Sequence, residues 1–193
     1  MKIGSIQMNS SDSVQENLLL TESLLIEACS QKVDMVLLPE NFAFMGYPKQ
    51  LVNEIMEDYQ DGPIQSFLSK QSKQLGLSII AGSIPIKNAA DSKSLARSIA
   101  YDDQGNEIAY YDKIHLFDVE VNGKAYNESA SIEAGRDVIN FMTGSELNVK
   151  VGLSICYDVR FPELYRQLGE IDIITVPAAF TYETGQAHWH TLL

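Results

Sequence analysis

Cys156 ends the run Val149-Lys150-Val151-Gly152-Leu153-Ser154-Ile155, where apolar residues alternate with small or polar ones. That is the period of a strand with one buried face. Pro162 suits the first turn of a helix, and Glu163, Leu164, Tyr165 and Leu168 can continue it. A thiol at such a strand-to-helix junction is presented outward among unpaired backbone N–H groups, the setting of a nucleophile. The plainer alternative is a small apolar residue closing a strand. Nucleophilic chemistry at a carbonyl also needs a base and a positive group for the developing oxyanion. Glu40 offers the first. It follows an apolar run, and its flanks Leu37, Leu38, Pro39, Phe42 and Phe44 would raise its pKa toward a useful range. Lys113, in Tyr110-Tyr111-Asp112-Lys113-Ile114-His115-Leu116-Phe117, offers the second. Taken singly, Glu40 also reads as a solvated loop acid and Lys113 as a lysine that snorkels to water. Glu128, in Tyr126-Asn127-Glu128-Ser129, reads on its own as a solvated loop residue.

The elements that must position these groups alternate along the chain. Ile3 to Met8 is a short strand, and Ser13-Val14-Gln15-Glu16 has the spacing of a capping box that opens a helix carrying Leu18, Leu25 and Ala28. Met35-Val36-Leu37-Leu38 is a strand buried on both faces, ended by Pro39-Glu40-Asn41. Asp61-Gly62-Pro63 opens a second helix that Gly76 closes. Leu77 to Ile84 is a strand, and Ala96 to Tyr101 with Glu107 to Tyr111 flank a hairpin turn at Asp102-Asp103-Gln104-Gly105-Asn106. Ile171 to Val176 is a further apolar strand, and Trp189 to Leu193 looks like the opening of a helix. Strand, helix, strand, helix and then hairpins predict an α/β fold with a mixed sheet, as one domain over residues 1–193.

Composition narrows the partners. With 26 acidic against 14 basic residues the net charge is −12, which disfavours nucleic acid and anionic membrane surfaces. No apolar run reaches the length of a membrane span, and the first residues lack a signal-peptide pattern. Two cysteines without metal-type spacing read as free thiols in a cytoplasmic protein, with Cys29 a core residue on a helix. His188 and His190, at i and i+2, could share a strand face and bind a metal, but no third ligand lies nearby, so pocket wall or packing is the better reading.

Leu-Pro-Glu-Asn-Phe at Glu40, Tyr-Asp-Lys-Ile-His-Leu-Phe-Asp at Lys113 and Ser-Ile-Cys-Tyr-Asp-Val-Arg-Phe-Pro-Glu-Leu-Tyr-Arg at Cys156 occur in that order. Together they resemble the nitrilase superfamily of carbon–nitrogen hydrolases, from Lys2 to Leu193. The resemblance is strongest to the amidase branch, which includes deaminated glutathione amidase and omega-amidase. Phe117 to Glu120 with Tyr126 to Ser129, and Val176 to Thr181 with Thr184 to Trp189, match that branch as well. The resemblance implies a four-layer α-β-β-α sandwich and a Glu40–Lys113–Cys156 triad without metal or cofactor. It also implies a homodimer or higher homo-oligomer and a small carboxylated amide as substrate, cleaved to acid and ammonia. Glu128 falls where the family carries a second glutamate that orients the lysine, and the Tyr157 N–H is expected to help hold the oxyanion. Arg160, Phe180, Thr181 and His188 are the expected substrate-binding or supporting residues.

Two departures stand out. Ser94-Leu95-Ala96-Arg97-Ser98 replaces a stretch that often carries Asn-Ser or Asn-Thr, and family members continue past this chain's last residue, with Glu in the place of His190. The expectation is therefore a C-terminally incomplete sandwich with apolar faces exposed around Ile173 and Val176. Three activities remain open: a deaminated glutathione amidase-like hydrolase, an omega-amidase or other small-amide or nitrile hydrolase, and an inactive protein that only binds a ligand or partner.

Overall fold

Alternating side chains build two cores from one sheet. The computed structural model describes residues 1–46, 52–89, 93–121, 123–143 and 148–193. Strands β1 (Ile3–Ser5), β2 (Met35–Leu37), β3 (Ser78–Lys87), β4 (Ser94–Tyr101) and β5 (Glu107–Asp112) form a five-stranded sheet in that order. β1, β2 and β3 run parallel, and β3, β4 and β5 antiparallel. Val36, Ile79, Ala81, Ile99 and Tyr101 face one way, where they meet Leu25 of helix α1 (Val14–Ser30), together with Ile64 and Leu68 of α3 (Pro63–Leu75). A single turn of helix, α2 (Val52–Ile55), precedes α3. Met35, Ile80, Ala100 and Tyr111 face the other way, toward Val151 and Leu153. The period of two thus divides each strand between two hydrophobic layers.

Val151 and Leu153 belong to a second, three-stranded sheet. Its β9 (Lys150–Leu153) pairs in parallel with β10 (Ile173–Thr175) and antiparallel with β8 (Asn140–Met142). Gly152 points to its outer face, where a Cβ would stand 2.8 Å from Leu168 of α4 (Pro162–Leu168). The layers therefore run helix, sheet, sheet, helix, the expected α-β-β-α order. A hairpin of β6 (Asp118–Val121) and β7 (Lys124–Asn127) and a last helix, α5 (Tyr182–Leu192), complete the described elements.

Several local expectations change. β1 stops at Ser5, short of Met8, and β3 runs on to Lys87, past Ile84. At α1, Ser13 accepts from the Glu16 N–H, but the Glu16 carboxylate takes the Ser11 hydroxyl, so only half of the capping box forms. The N-terminus of α3 is capped by an acid the sequence did not flag. Buried Glu57 accepts from the N–H groups of Ile64 and Gln65, 2.5 and 3.1 Å away. α5 opens at Tyr182, seven residues before Trp189, because Thr181 caps it by accepting from the Thr184 N–H. In β10 the most exposed side chain is Ile174, at 46%, while Ile173 and Val176 are half-buried. Arg97, from the stretch that departs from the family pattern, packs between the rings of Tyr59 and Tyr110. It holds Asp112 through two hydrogen bonds of 2.7 and 2.8 Å.

Candidate active site

Three chain turns bring Glu40, Lys113 and Cys156 to one end of the two sheets. Glu40 sits in the turn after β2. Gly82 of β3 permits that turn, since a Cβ there would lie 2.0 Å from the Pro39 carbonyl oxygen. Ser83 Oγ then accepts the Asn41 N–H at 2.9 Å, fixing the residue after the acid. Lys113 follows β5 directly. Its N–H donates to the Ala96 carbonyl, and its own carbonyl accepts from Gly135 N–H.

Cys156 follows β9, as expected, but the next element is a short 3-10 helix, Cys156–Arg160, and α4 begins only at Pro162. The Cys156 backbone takes the left-handed conformation, φ 48°, which a side chain adopts at a steric cost. Its N–H donates to the Pro177 carbonyl at 2.8 Å, holding the strained turn against the segment after β10. The Tyr157 N–H lies in the first turn of the 3-10 helix, where the helix itself supplies no acceptor.

The Lys113 ammonium is 2% exposed. It lies 2.9 Å from Glu40 Oε1, and 3.0 and 2.9 Å from Glu128 Oε1 and Oε2. Glu128 is no solvated loop acid. It also accepts the Phe117 N–H at 2.6 Å, so the turn after the β6–β7 hairpin is tied to the lysine segment. Burial alone would push the lysine pKa down. The two carboxylates outweigh it and hold Lys113 above its ordinary range, hence charged. The Cys156 thiol faces the Glu40 carboxylate. Burial and that negative charge push the thiol well above its ordinary range, and the nearby Lys113 charge and Ala179 N–H only partly offset them. At neutral pH the thiol is therefore protonated.

These groups line a cavity of about 220 Å³ with Tyr157, Arg160, Phe180 and Thr181. Arg160 closes the 3-10 turn with its guanidinium carbon 5.7 Å from the Tyr157 ring centre and 5.9 Å from that of Phe180. Among the described residues it has no carboxylate partner. Asp158 is engaged elsewhere, and Glu163 pairs with Arg166. Thr181 lines the wall while its hydroxyl caps α5. His188 corrects the sequence reading. It is exposed on α5 and outside the cavity lining. Helical residues two apart point about 200° apart, so His188 and His190 share no face either. Among the described residues no group of three His, Cys, Asp or Glu side chains could hold a metal ion.

Sequence reasoning did not single out Phe117, Tyr126 and Thr184 as cavity wall, nor Asp158 as the buried acceptor below it. The only signal for the first two was that the segments Phe117 to Glu120 and Tyr126 to Ser129 match the amidase branch, a stretch that folds as a hairpin. A second cavity of about 400 Å³, lined mainly by apolar side chains such as Phe44, Ile84 and Leu95, adjoins the first across Asn41, Met45 and Glu128.

A two-sheet α-β-β-α fold carrying a buried glutamate, lysine and cysteine at one end defines the class of protein. The carbon-nitrogen hydrolase family model matches residues 2–193, and the chain belongs to that family. It is 40% identical over 197 residues to the deaminated glutathione amidase of Synechocystis, covering 98% of this chain and 70% of that protein. It is 32% identical to the omega-amidase NIT2 of Danio rerio, over 99% of this chain and 68% of that one. The crystal structure of the NitFhit protein of C. elegans superposes with a TM-score of 0.86 at 33% identity, over 99% of this chain and 47% of that one. The chain thus spans about two thirds of these amidases and just under half of the NitFhit chain.

Proposed function

We propose that this chain hydrolyses a small carboxylated amide to its acid and ammonia through a Cys156 thioester, in the manner of a deaminated glutathione amidase. The observation that carries the reading is the Lys113 ammonium held between Glu40 and Glu128, with the Cys156 thiol facing the same Glu40. Glu40 takes the thiol proton as sulfur attacks the amide carbon. Lys113 and the Tyr157 N–H stabilise the oxyanion where its charge develops. Glu40 passes the proton to the departing nitrogen, ammonia leaves and a thioester remains. Glu40 then takes a proton from water, hydroxide adds to the thioester, and collapse releases the acid while Glu40 returns the proton to sulfur. A thiol that is protonated at rest suits this route, since base and nucleophile act together.

Arg160 supports the carboxylate on the substrate. It is a cation on the cavity wall without a carboxylate partner among the described residues, and its planar fork meets a carboxylate with two parallel hydrogen bonds. Both cysteines are free, which suits a reducing compartment, and we place the protein in the cytoplasm on that ground. A homodimer or higher homo-oligomer is part of the same reading, to be checked by light scattering.

The test is ammonia release from a panel of amides with and without a terminal carboxylate, comparing the parent chain with Cys156→Ala. Turnover of carboxylated amides that disappears in the variant supports the proposal. Binding of these compounds with no ammonia from any of them would instead make the chain a binding protein. A preference for omega-amides of dicarboxylic acids over a deaminated glutathione would move the assignment to an omega-amidase.

A further inference from the structure

Asp158 lies two residues beyond Cys156 and is fully buried. Its carboxylate accepts four hydrogen bonds. Oδ2 takes the Ile155 N–H at 2.8 Å and the Tyr111 hydroxyl at 2.7 Å. Oδ1 takes the His115 N–H at 3.0 Å and His115 Nδ1 at 2.7 Å. Tyr111 and His115 are the residues two before and two after Lys113. The Tyr111 oxygen in turn accepts the Ile114 N–H at 3.2 Å, and the His115 ring stacks 3.7 Å from Phe161, just past the 3-10 turn. One carboxylate thus grips both flanks of the lysine and the backbone entering the cysteine. It touches neither the Lys113 ammonium nor the thiol.

We propose that Asp158 is a positioning residue that sets the spacing between the Lys113 ammonium and the Cys156 sulfur, acting through Tyr111 and His115. The assignment of roles to Lys113 and Cys156 is that of the proposed function, on which this inference rests. A carboxylate that merely braced the fold would need no such placement. Here three of the four donors come from the two residues that bracket Lys113, and the fourth from the residue that enters the strained turn at Cys156. Burial and the Asp158 charge keep the Tyr111 phenol well above its ordinary range, so it remains a donor throughout the working pH range. A loss of a few tenths of an ångström in this spacing weakens the cation's hold on the developing negative charge, which acts on turnover more than on binding.

The experiment compares Tyr111→Phe and His115→Gln with Glu57→Gln, which removes the buried charge that caps α3, remote from the site. Asp158→Asn is made as well, with Tyr111→Phe standing in for it if it does not fold. Each variant is followed by thermal melting, by kcat and KM on an amide, and by the pH dependence of Cys156 alkylation with iodoacetamide in a Cys29→Ala background. The charges that act on the thiol are Glu40 and Lys113, with Glu128 held on Lys113 and Arg160 on the wall of the same cavity. None of the four is altered. Tyr111→Phe and His115→Gln are expected to lower kcat about tenfold or more with KM within about twofold, and to move the alkylation profile to higher pH as the lysine loosens. Glu57→Gln is expected to lower the melting temperature and leave that profile in place. If Tyr111→Phe and His115→Gln behave like Glu57→Gln, with melting lowered and the profile unmoved, Asp158 is a brace and the inference is overturned. Should the parent chain hydrolyse no amide, the proposed function fails. The alkylation profiles still decide whether Asp158 sets the lysine–thiol spacing.

Discussion

Glu40 Oε2 accepts the backbone N–H of Ala179 at 2.8 Å, joining two residues 139 positions apart. Its other oxygen is taken by Lys113 at 2.9 Å. Both carboxylate oxygens therefore have a fixed donor, and the side chain cannot rotate away from the thiol without breaking one of them. The segment after β10, which also takes the Cys156 N–H through Pro177, holds base and nucleophile against each other.

The first prediction follows from the protonated thiol. Iodoacetamide should label Cys156 at a rate that keeps rising past the ordinary cysteine range near pH 8.5–9, because the thiolate is the reactive form and the site disfavours it. Glu40→Gln removes the negative charge that faces the sulfur and should move that rise to lower pH while abolishing most turnover. Cys156→Ala should abolish hydrolysis, and Cys29→Ala should leave it nearly intact. Unchanged alkylation in Glu40→Gln would show that the carboxylate does not act on the sulfur.

The second prediction concerns Lys113. Its pKa is raised in the folded state, so the stability it contributes is fully present below the unfolded lysine value of 10.5 and fades only as pH climbs above it. Lysine deprotonation should therefore cause no loss of activity at pH values below the pKa of a free lysine. Lys113→Met leaves Glu40 and Glu128 without their shared cation, a change that costs about 3–5 kcal/mol for a buried pair. Two negative charges are then left facing each other with no cation between them, so the variant should melt higher at pH 5 than at pH 8. Equal melting temperatures at both would show that the lysine is not what neutralises them.

β2 was legible as a continuous apolar run, β4 and β5 from the turn residues between them, and the position of Cys156 from the period of two in the strand before it. Asp158 was not. Its partners Tyr111 and His115 lie 47 and 43 residues away, and no local pattern marks an acid whose donors come from another strand. Glu57 was missed for a related reason. A cap six residues before the helix falls outside the three-residue spacing that the usual signal uses. The β6–β7 hairpin has two four-residue strands, too short for alternation to stand out from a loop. His188 was misplaced because it was carried over from the resemblance, whereas here the capping hydroxyl of Thr181 starts α5 at Tyr182 and His188 is exposed on that helix.

A third prediction separates these two residues. Thr181→Ala removes the cap of α5 and should cost about 1 kcal/mol of stability, visible as a lower melting temperature. Thr181→Ser keeps the capping oxygen and should restore it. His188→Ala, on the exposed side of the helix, should leave kcat and KM within about twofold of the parent. A large loss of turnover in His188→Ala would return that residue to the site.

The last prediction addresses the substrate. Arg160 has a carboxylate neighbour in the sequence on each side, Asp158 and Glu163, either of which could have neutralised it. The first is spent on Tyr111, His115 and Ile155, and the second on Arg166. The guanidinium is left on the wall of the cavity that the Cys156 thiol also lines, flanked by the Tyr157 and Phe180 rings. A lysine at the same place would keep the charge but lose the two parallel hydrogen bonds that a guanidinium gives a carboxylate. Arg160→Lys should therefore raise KM for a carboxylated amide about tenfold and leave KM for its methyl ester nearly unchanged, with kcat altered little for either. Equal losses on acid and ester would assign Arg160 to the packing of the 3-10 turn and free the substrate from any need of a carboxylate.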